Sequence, residues 1–231
     1  MSAGTEPAPD SGGAWRVPWL TIVVATVTAA GLLLQELVPG TLSDLERSPA
    51  ALHGEAWRWA SALVVQDGGL LGGLLNIGGL VLVGVAAEQV VRRTAWLAAY
   101  VGAGLVGQVF GQWWQPFGAG NSVAVCGLVA LVVVMLVRGR RAPGPLPFLA
   151  PSLWCGLLAA AVWWPLALLG ALTGWVAGAP SRDPVPAAAL VATFCTGCTL
   201  MLLVARDLHG GALGVALLVA AVPPVASAAE C

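Results

Sequence analysis

Polar positions along this chain are sparse and clustered, and between the clusters lie uninterrupted apolar runs: Trp19 to Val38, Gly69 to Val90, Ala95 to Trp114 and Asn121 to Val137. None alternates with the period of a strand. Each approaches the roughly 20 apolar residues that an α-helix needs to cross about 30 Å of hydrocarbon, so the pattern alone predicts four membrane helices. The second half is less regular. A long apolar stretch from Leu149 to Val176 is interrupted by "WWP" at Trp163 to Pro165, and further runs cover Pro186 to Val204 and Leu208 to Val222. Between the first two runs, residues 39–68 form a semi-polar insert that reads as a loop packed on the membrane surface.

Composition sharpens this into one class. The chain has 231 residues, 58% hydrophobic and 9% charged, with a mean hydropathy of +0.87, far from the balance of a soluble domain. An all-α, polytopic membrane helix bundle is expected over residues 17–223, with a disordered cytoplasmic tail at 1–16 and a short tail at 224–231. The net charge is -1 and lysine is absent, which removes nucleic acid as a partner. Arg16, Arg92, Arg93, Arg138, Arg140 and Arg141 fall at alternate ends of the first four runs. The positive-inside rule then puts the N-terminus in the cytoplasm and the turn before Ser122 outside the cell membrane.

Polar groups at membrane depth are costly and call for an explanation. Four stand out: Asn76, Glu88, Ser122 and His209. Asn121 or Ser122 could simply cap the fourth helix. Asn76 could tie neighbouring helices together, and Glu88 could reach the interface near Arg92. Ser122 and His209, however, each open an apolar run beside glycines. A hydroxyl and a base to take its proton are the partners that nucleophilic catalysis requires. Asp207 lies only two residues before His209, too close in sequence for the third member of a triad, so a Ser-His dyad is expected. Cys195 and Cys198 have CxxC spacing but lie inside an apolar run, where thiols behave as small hydrophobes; no metal and no cofactor is implied. The pairs Gly69/Gly73, Gly107/Gly111 and Gly210/Gly214 have the spacing that lets membrane helices approach closely.

The order of these features resembles the rhomboid family of intramembrane serine proteases, over about residues 15–138 and 186–223. "GEAWRWAS" is similar to the family's Trp-Arg loop motif, at Trp57 and Arg58, and the second run carries the central Asn76 and the late Glu88. "GNSVAVCGL" looks like the Gly-x-Ser segment opening the fourth helix, with Gly120, Ser122 and Gly127; "DLHGGALG" looks like the histidine segment, with His209, Gly210 and Gly214. The resemblance implies a six-helix core, an oxyanion site formed by Asn76 and the Ser122 N–H, and membrane-protein substrates within the lipid bilayer.

The chain also departs from that pattern. Gly72 stands where the family usually has an oxyanion histidine, and Val123 where it has a glycine, adding bulk where the fourth and last helices should meet. A catalytically impaired pseudoprotease that binds membrane clients is therefore the alternative, and a small transporter using Asn76, Glu88 and His209 a third reading. All catalytic readings share one requirement. His209 reaches the level of Ser122 only if the stretch around "WWP" is broken or re-entrant, forming an extra segment between the fourth and fifth core helices.

Overall fold

The computed structural model describes residues 15–140, 144–179 and 183–222. Within them the chain is all α-helical, apart from a 3-10 turn at Pro49–His53 and an isolated bridge between Arg47 and Gly118. Ten helices are formed: α1 (Trp19–Leu37), α2 (Thr41–Leu45), α3 (Arg58–Ser61), α4 (Gly69–Val90), α5 (Arg93–Trp114), α6 (Ser122–Val137), α7 (Leu146–Ala159), α8 (Pro165–Ala177), α9 (Pro184–Val204) and α10 (Leu208–Ala221). Four of them, α1, α4, α5 and α9, are long and apolar enough to cross a membrane. The expected tails lie largely outside the described residues.

Helix α6 is the hub. It is apolar on every face, and 13 of its 16 residues are buried, the signature of a helix surrounded by others rather than laid against one. Around it stand α5, α10, α9, α7 and α4, with α1 docked on the outer side of α4. We call upper the end of the bundle that carries Gly69, Trp114, Ser122, Val204 and Leu208.

The interrupted stretch resolves into two antiparallel helices, α7 and α8, joined at residues 160–164. Pro165 begins α8, where its missing N–H is no loss. The pair interlocks through glycines: a Cβ on Gly156 would strike the Leu166 carbonyl, and one on Gly170 the Ser152 carbonyl. Because the hairpin rises and returns, α9 climbs to the upper end and α10 starts there, level with the start of α6.

The upper end is closed by the insert between α1 and α4, which is folded rather than loosely draped. Arg47, 2% exposed, donates from Nε and Nη2 to the Gln115 carbonyl (3.2 and 2.6 Å), and it also reaches the Phe117 carbonyl and Gln108 Oε1. Burial pushes the guanidinium's pKa down while Asp67 and Glu46 pull it up. Arg47 and Gly118 exchange backbone hydrogen bonds of 2.9 and 3.2 Å. Arg58, by contrast, pairs with Glu55 at 2.5 Å and donates to the Ser43 and Glu46 carbonyls, while Trp57 is half exposed beneath its guanidinium.

Three expectations need correction. Glu88 does not turn to Arg92; its carboxylate accepts from the Thr21 N–H and hydroxyl, both at 2.8 Å, and so holds the start of α1. Val123 adds its bulk against α5, beside Ala212 of α10. Its Cβ lies 2.6 Å from where a Cβ on Gly107 would stand, so α5 supplies the room. The glycine pairs also do different jobs. Gly127 and Gly210 admit backbones at close range, Gly111 accommodates the Arg47 side chain, and Gly214 would tolerate a methyl group at ordinary contact distance.

Candidate active site

The segment leading into α6 is pinned from both sides. Asp67 and Ala119 exchange hydrogen bonds, from the Asp67 N–H to the Ala119 carbonyl at 3.2 Å and from the Ala119 N–H to the Asp67 carboxylate at 3.1 Å. The Gly120 N–H donates to the Ala62 carbonyl at 2.7 Å. Gly120 itself has φ +142, a conformation that strains any side chain, and a Cβ there would lie 3.0 Å from Asn76 Nδ2; both reasons call for glycine. Ser122 is thereby delivered to the first turn of α6, 9% exposed.

The hydroxyl is not used as a cap. Ser122 Oγ lies 2.8 Å from Nε2 of His209, across 87 residues of sequence. Asn121 makes no cap either: it is fully buried, and neither of its amide atoms has a hydrogen-bond partner among the described residues. The capping role considered for these two residues is therefore absent from the fold.

His209 is held from its other side as well, by a residue that spacing alone set aside. Asp207 Oδ1 faces His209 Nδ1 at 2.6 Å and also accepts the His209 backbone N–H at 2.8 Å. Sequence proximity misled because spacing alone does not show how the chain turns between the two residues. The chain turns between α9 and α10 through Arg206, at φ +54, and Asp207 is the N-cap of α10. A carboxylate at that position points back over the first turn and reaches both groups. Burial pushes the Asp207 carboxyl up, but the hydrogen bonds and charge of His209, with Gln115, outweigh it and hold the group below its ordinary 3.8.

Asn76 lies on α4, where its Nδ2 donates to Gln66 Oε1 at 2.8 Å. Gln66 is completely buried; its Oε1 also receives the Asn121 N–H at 3.4 Å, and its backbone exchanges hydrogen bonds with the Gln35 amide of α1 at 2.7 and 2.8 Å. Sequence reasoning passed over Gln66 and Arg47 and set Asp207 aside, although a glutamine beside an apolar run and an acid before a helix were both readable signals. Gly72 faces away from help: a side chain there would meet the Asp67 carbonyl at 2.8 Å. Trp57 and Arg58 make their contacts within the insert and Glu88 with α1, and these contacts serve the fold.

A multi-helix membrane bundle that brings a serine hydroxyl, an imidazole and a carboxylate into one chain of hydrogen bonds can in principle transfer a proton away from the hydroxyl. A model of the rhomboid domain matches residues 53–207, more than half of the chain, and the protein belongs to the rhomboid family. The match stops two residues before His209, so the pairing with Ser122 rests on the geometry. Neither the comparison with curated proteins nor that with solved structures finds a match.

Proposed function

We propose that the protein is an intramembrane serine endopeptidase that cleaves membrane-protein substrates near the end of a membrane segment. The observation that carries this reading is the 2.8 Å contact of Ser122 Oγ with His209 Nε2, within the reach a general base needs. In this mechanism Ser122 attacks the scissile carbonyl while His209 takes its proton and then returns it to the leaving amine. Asp207 keeps the ring in the tautomer that leaves Nε2 free to accept. The Ser122 N–H, in a helical first turn that lacks an intrahelical acceptor, and Asn76 Nδ2 stabilise the oxyanion. In this reading α1, α4, α5, α6, α9 and α10 form the six-helix core and α7–α8 is the extra segment. The upper end faces outward, because Arg16, Arg92, Arg93, Arg138 and Arg140 gather at the lower one.

The test is cleavage of single-helix reporters by the purified protein in liposomes, beside Ser122→Ala and His209→Ala. Loss of cleavage in both variants is expected. A parent protein that binds reporters without cutting them would move the assignment to a pseudoprotease, the reading favoured by Gly72: one oxyanion donor fewer costs about 10²- to 10³-fold in kcat.

A further inference from the structure

The carboxamide of Asn76 has two ends, and only one of them serves an oxyanion. Its oxygen accepts and its nitrogen donates, and a half-turn about the last side-chain bond exchanges the two. With Nδ2 toward Ser122 the group meets a developing negative charge with an N–H; with Oδ1 there it meets that charge with the negative end of a dipole. Gly72 offers no side-chain donor, so the oxyanion of the proposed mechanism depends on Asn76 and the Ser122 N–H, and the orientation of one amide carries more weight than it would beside a second donor.

Gln66 decides between the two. Its own side-chain amide is fixed at both ends by backbone groups whose polarity cannot change. The Asn121 N–H, which can only donate, faces Oε1 at 3.4 Å, and the Val64 carbonyl, which can only accept, faces Nε2 at 3.4 Å. Oε1 is thereby presented to Asn76, and only the Nδ2 end of that residue can pair with it, at 2.8 Å. The frame is firm: Gln66 is 0% exposed, and its backbone N–H and carbonyl are both held by the Gln35 amide of α1. An atom at the place of the missing Cβ of Gly120 would lie 3.0 Å from Asn76 Nδ2, 3.4 Å from Gln66 Oε1 and 3.6 Å from Ser122 Oγ. The nitrogen that Gln66 holds thus borders the same gap as the serine hydroxyl. One of its two hydrogens is used by Gln66, and the other is left for an oxyanion.

We propose that Gln66 is a positioning residue: it fixes the Asn76 carboxamide with its nitrogen toward Ser122, and so relays the polarity of the Asn121 N–H to the oxyanion site. The inference rests on reading Ser122 as the nucleophile and Asn76 as an oxyanion donor. Its test reads phosphonylation of Ser122 by an alkyl fluorophosphonate in liposomes. In that reaction Ser122 Oγ bonds to phosphorus, fluoride leaves, His209 takes the hydroxyl proton and the phosphoryl oxygen occupies the oxyanion site. Asn76→Ala should lower the labelling rate at saturating reagent by about 10²- to 10³-fold, the cost of a lost donor. Gln66→Leu, which has no acceptor, should lower it by about 10-fold, short of the full cost because the donor is still present, with the half-saturating reagent concentration unchanged. In the Asn76→Ala background Gln66→Leu should then change nothing, because Gln66 acts through Asn76. A Gln66 that only supports the fold predicts the same fold-change in both backgrounds. That result, or labelling of Gln66→Leu at the parent rate, would overturn the proposal. Should thermal unfolding show that Gln66→Leu does not fold, Gln66→Asn, which withdraws the same amide by one carbon–carbon bond, about 1.5 Å, replaces it with the same expectations. A parent protein that is not labelled at Ser122 would end the protease reading and the proposal with it, whereas a labelled parent beside an unaffected Gln66→Leu ends the proposal alone.

Discussion

Replacing Asp207 by Asn separates two jobs that one carboxylate performs. Oδ1 of Asp207 caps α10 through the His209 N–H and faces the ring Nδ1 at 2.6 Å. Asn is as good an N-cap as Asp and keeps an oxygen to accept from Nδ1, so the helix start and the ring orientation survive. What is lost is the negative charge that, in the proposed mechanism, stabilises the imidazolium formed in the transition state. A hydrogen bond to a charged partner is worth about 1.5–3 kcal/mol, and each 1.36 kcal/mol is tenfold in rate. The expected fall in kcat is therefore about 10- to 100-fold, with KM nearly unchanged and only the stability contributed by the charge lost. Asp207→Ala removes the cap as well, at a further cost of about 1 kcal/mol in stability.

The assay is initial-rate cleavage of a reporter in liposomes, paired with thermal unfolding of the same preparations. The pH dependence supplies an internal control. Because the folded pKa of Asp207 lies below its ordinary 3.8, its charge contributes stability above that value and loses it as pH falls through the lowered one. The parent's stability advantage over Asp207→Asn should thus shrink below about pH 4. An Asp207→Asn protein that cleaves at the parent rate would refute the argument and reduce Asp207 to a cap.

Arg47→Ala should lower stability by about 3 kcal/mol or more, since at least two charge-assisted hydrogen bonds are lost, whereas Arg58→Ala, at the partly exposed pair with Glu55, should stay within about 1 kcal/mol; chemical denaturation in detergent compares them. Gly107→Val should cost about 1–3 kcal/mol by overpacking against Val123, read as a lower thermal midpoint. Arg206→Gly should raise that midpoint by relieving about 1 kcal/mol of left-handed strain, provided the turn before Asp207 keeps its shape, which unchanged cleavage would report.

The first four runs were legible as helices because each is apolar along its whole length, although only α1, α4 and α5 among them are long enough to cross and α6 is shorter; Ser122 and His209 were legible because polar residues at helix starts are conspicuous there. The rest depended on distances that a linear pattern does not encode. Arg47 sits in a polar insert and looks like any exposed cation; only the folded loop reveals that its guanidinium is buried among carbonyls. Asp207 was dismissed on spacing, which fails wherever a sharp turn separates neighbours. Val123 marked added bulk, and Gly107 was counted as half of a helix-pairing motif rather than as the space on α5 for that valine. Broken apolarity at "WWP" did mark the hairpin, since the proline could not continue the helix before it.

The interlocked glycines of α7 and α8 also bear on how the chain assembles. Gly156 and Gly170 let each helix lie on the other's backbone, and their contacts span few residues of sequence. Such local pairing forms early. The hairpin can therefore be complete before α9 has left the ribosome, and α9 then docks on a finished surface. A hairpin that arrives already folded adds little to the search that α9 and α10 must make.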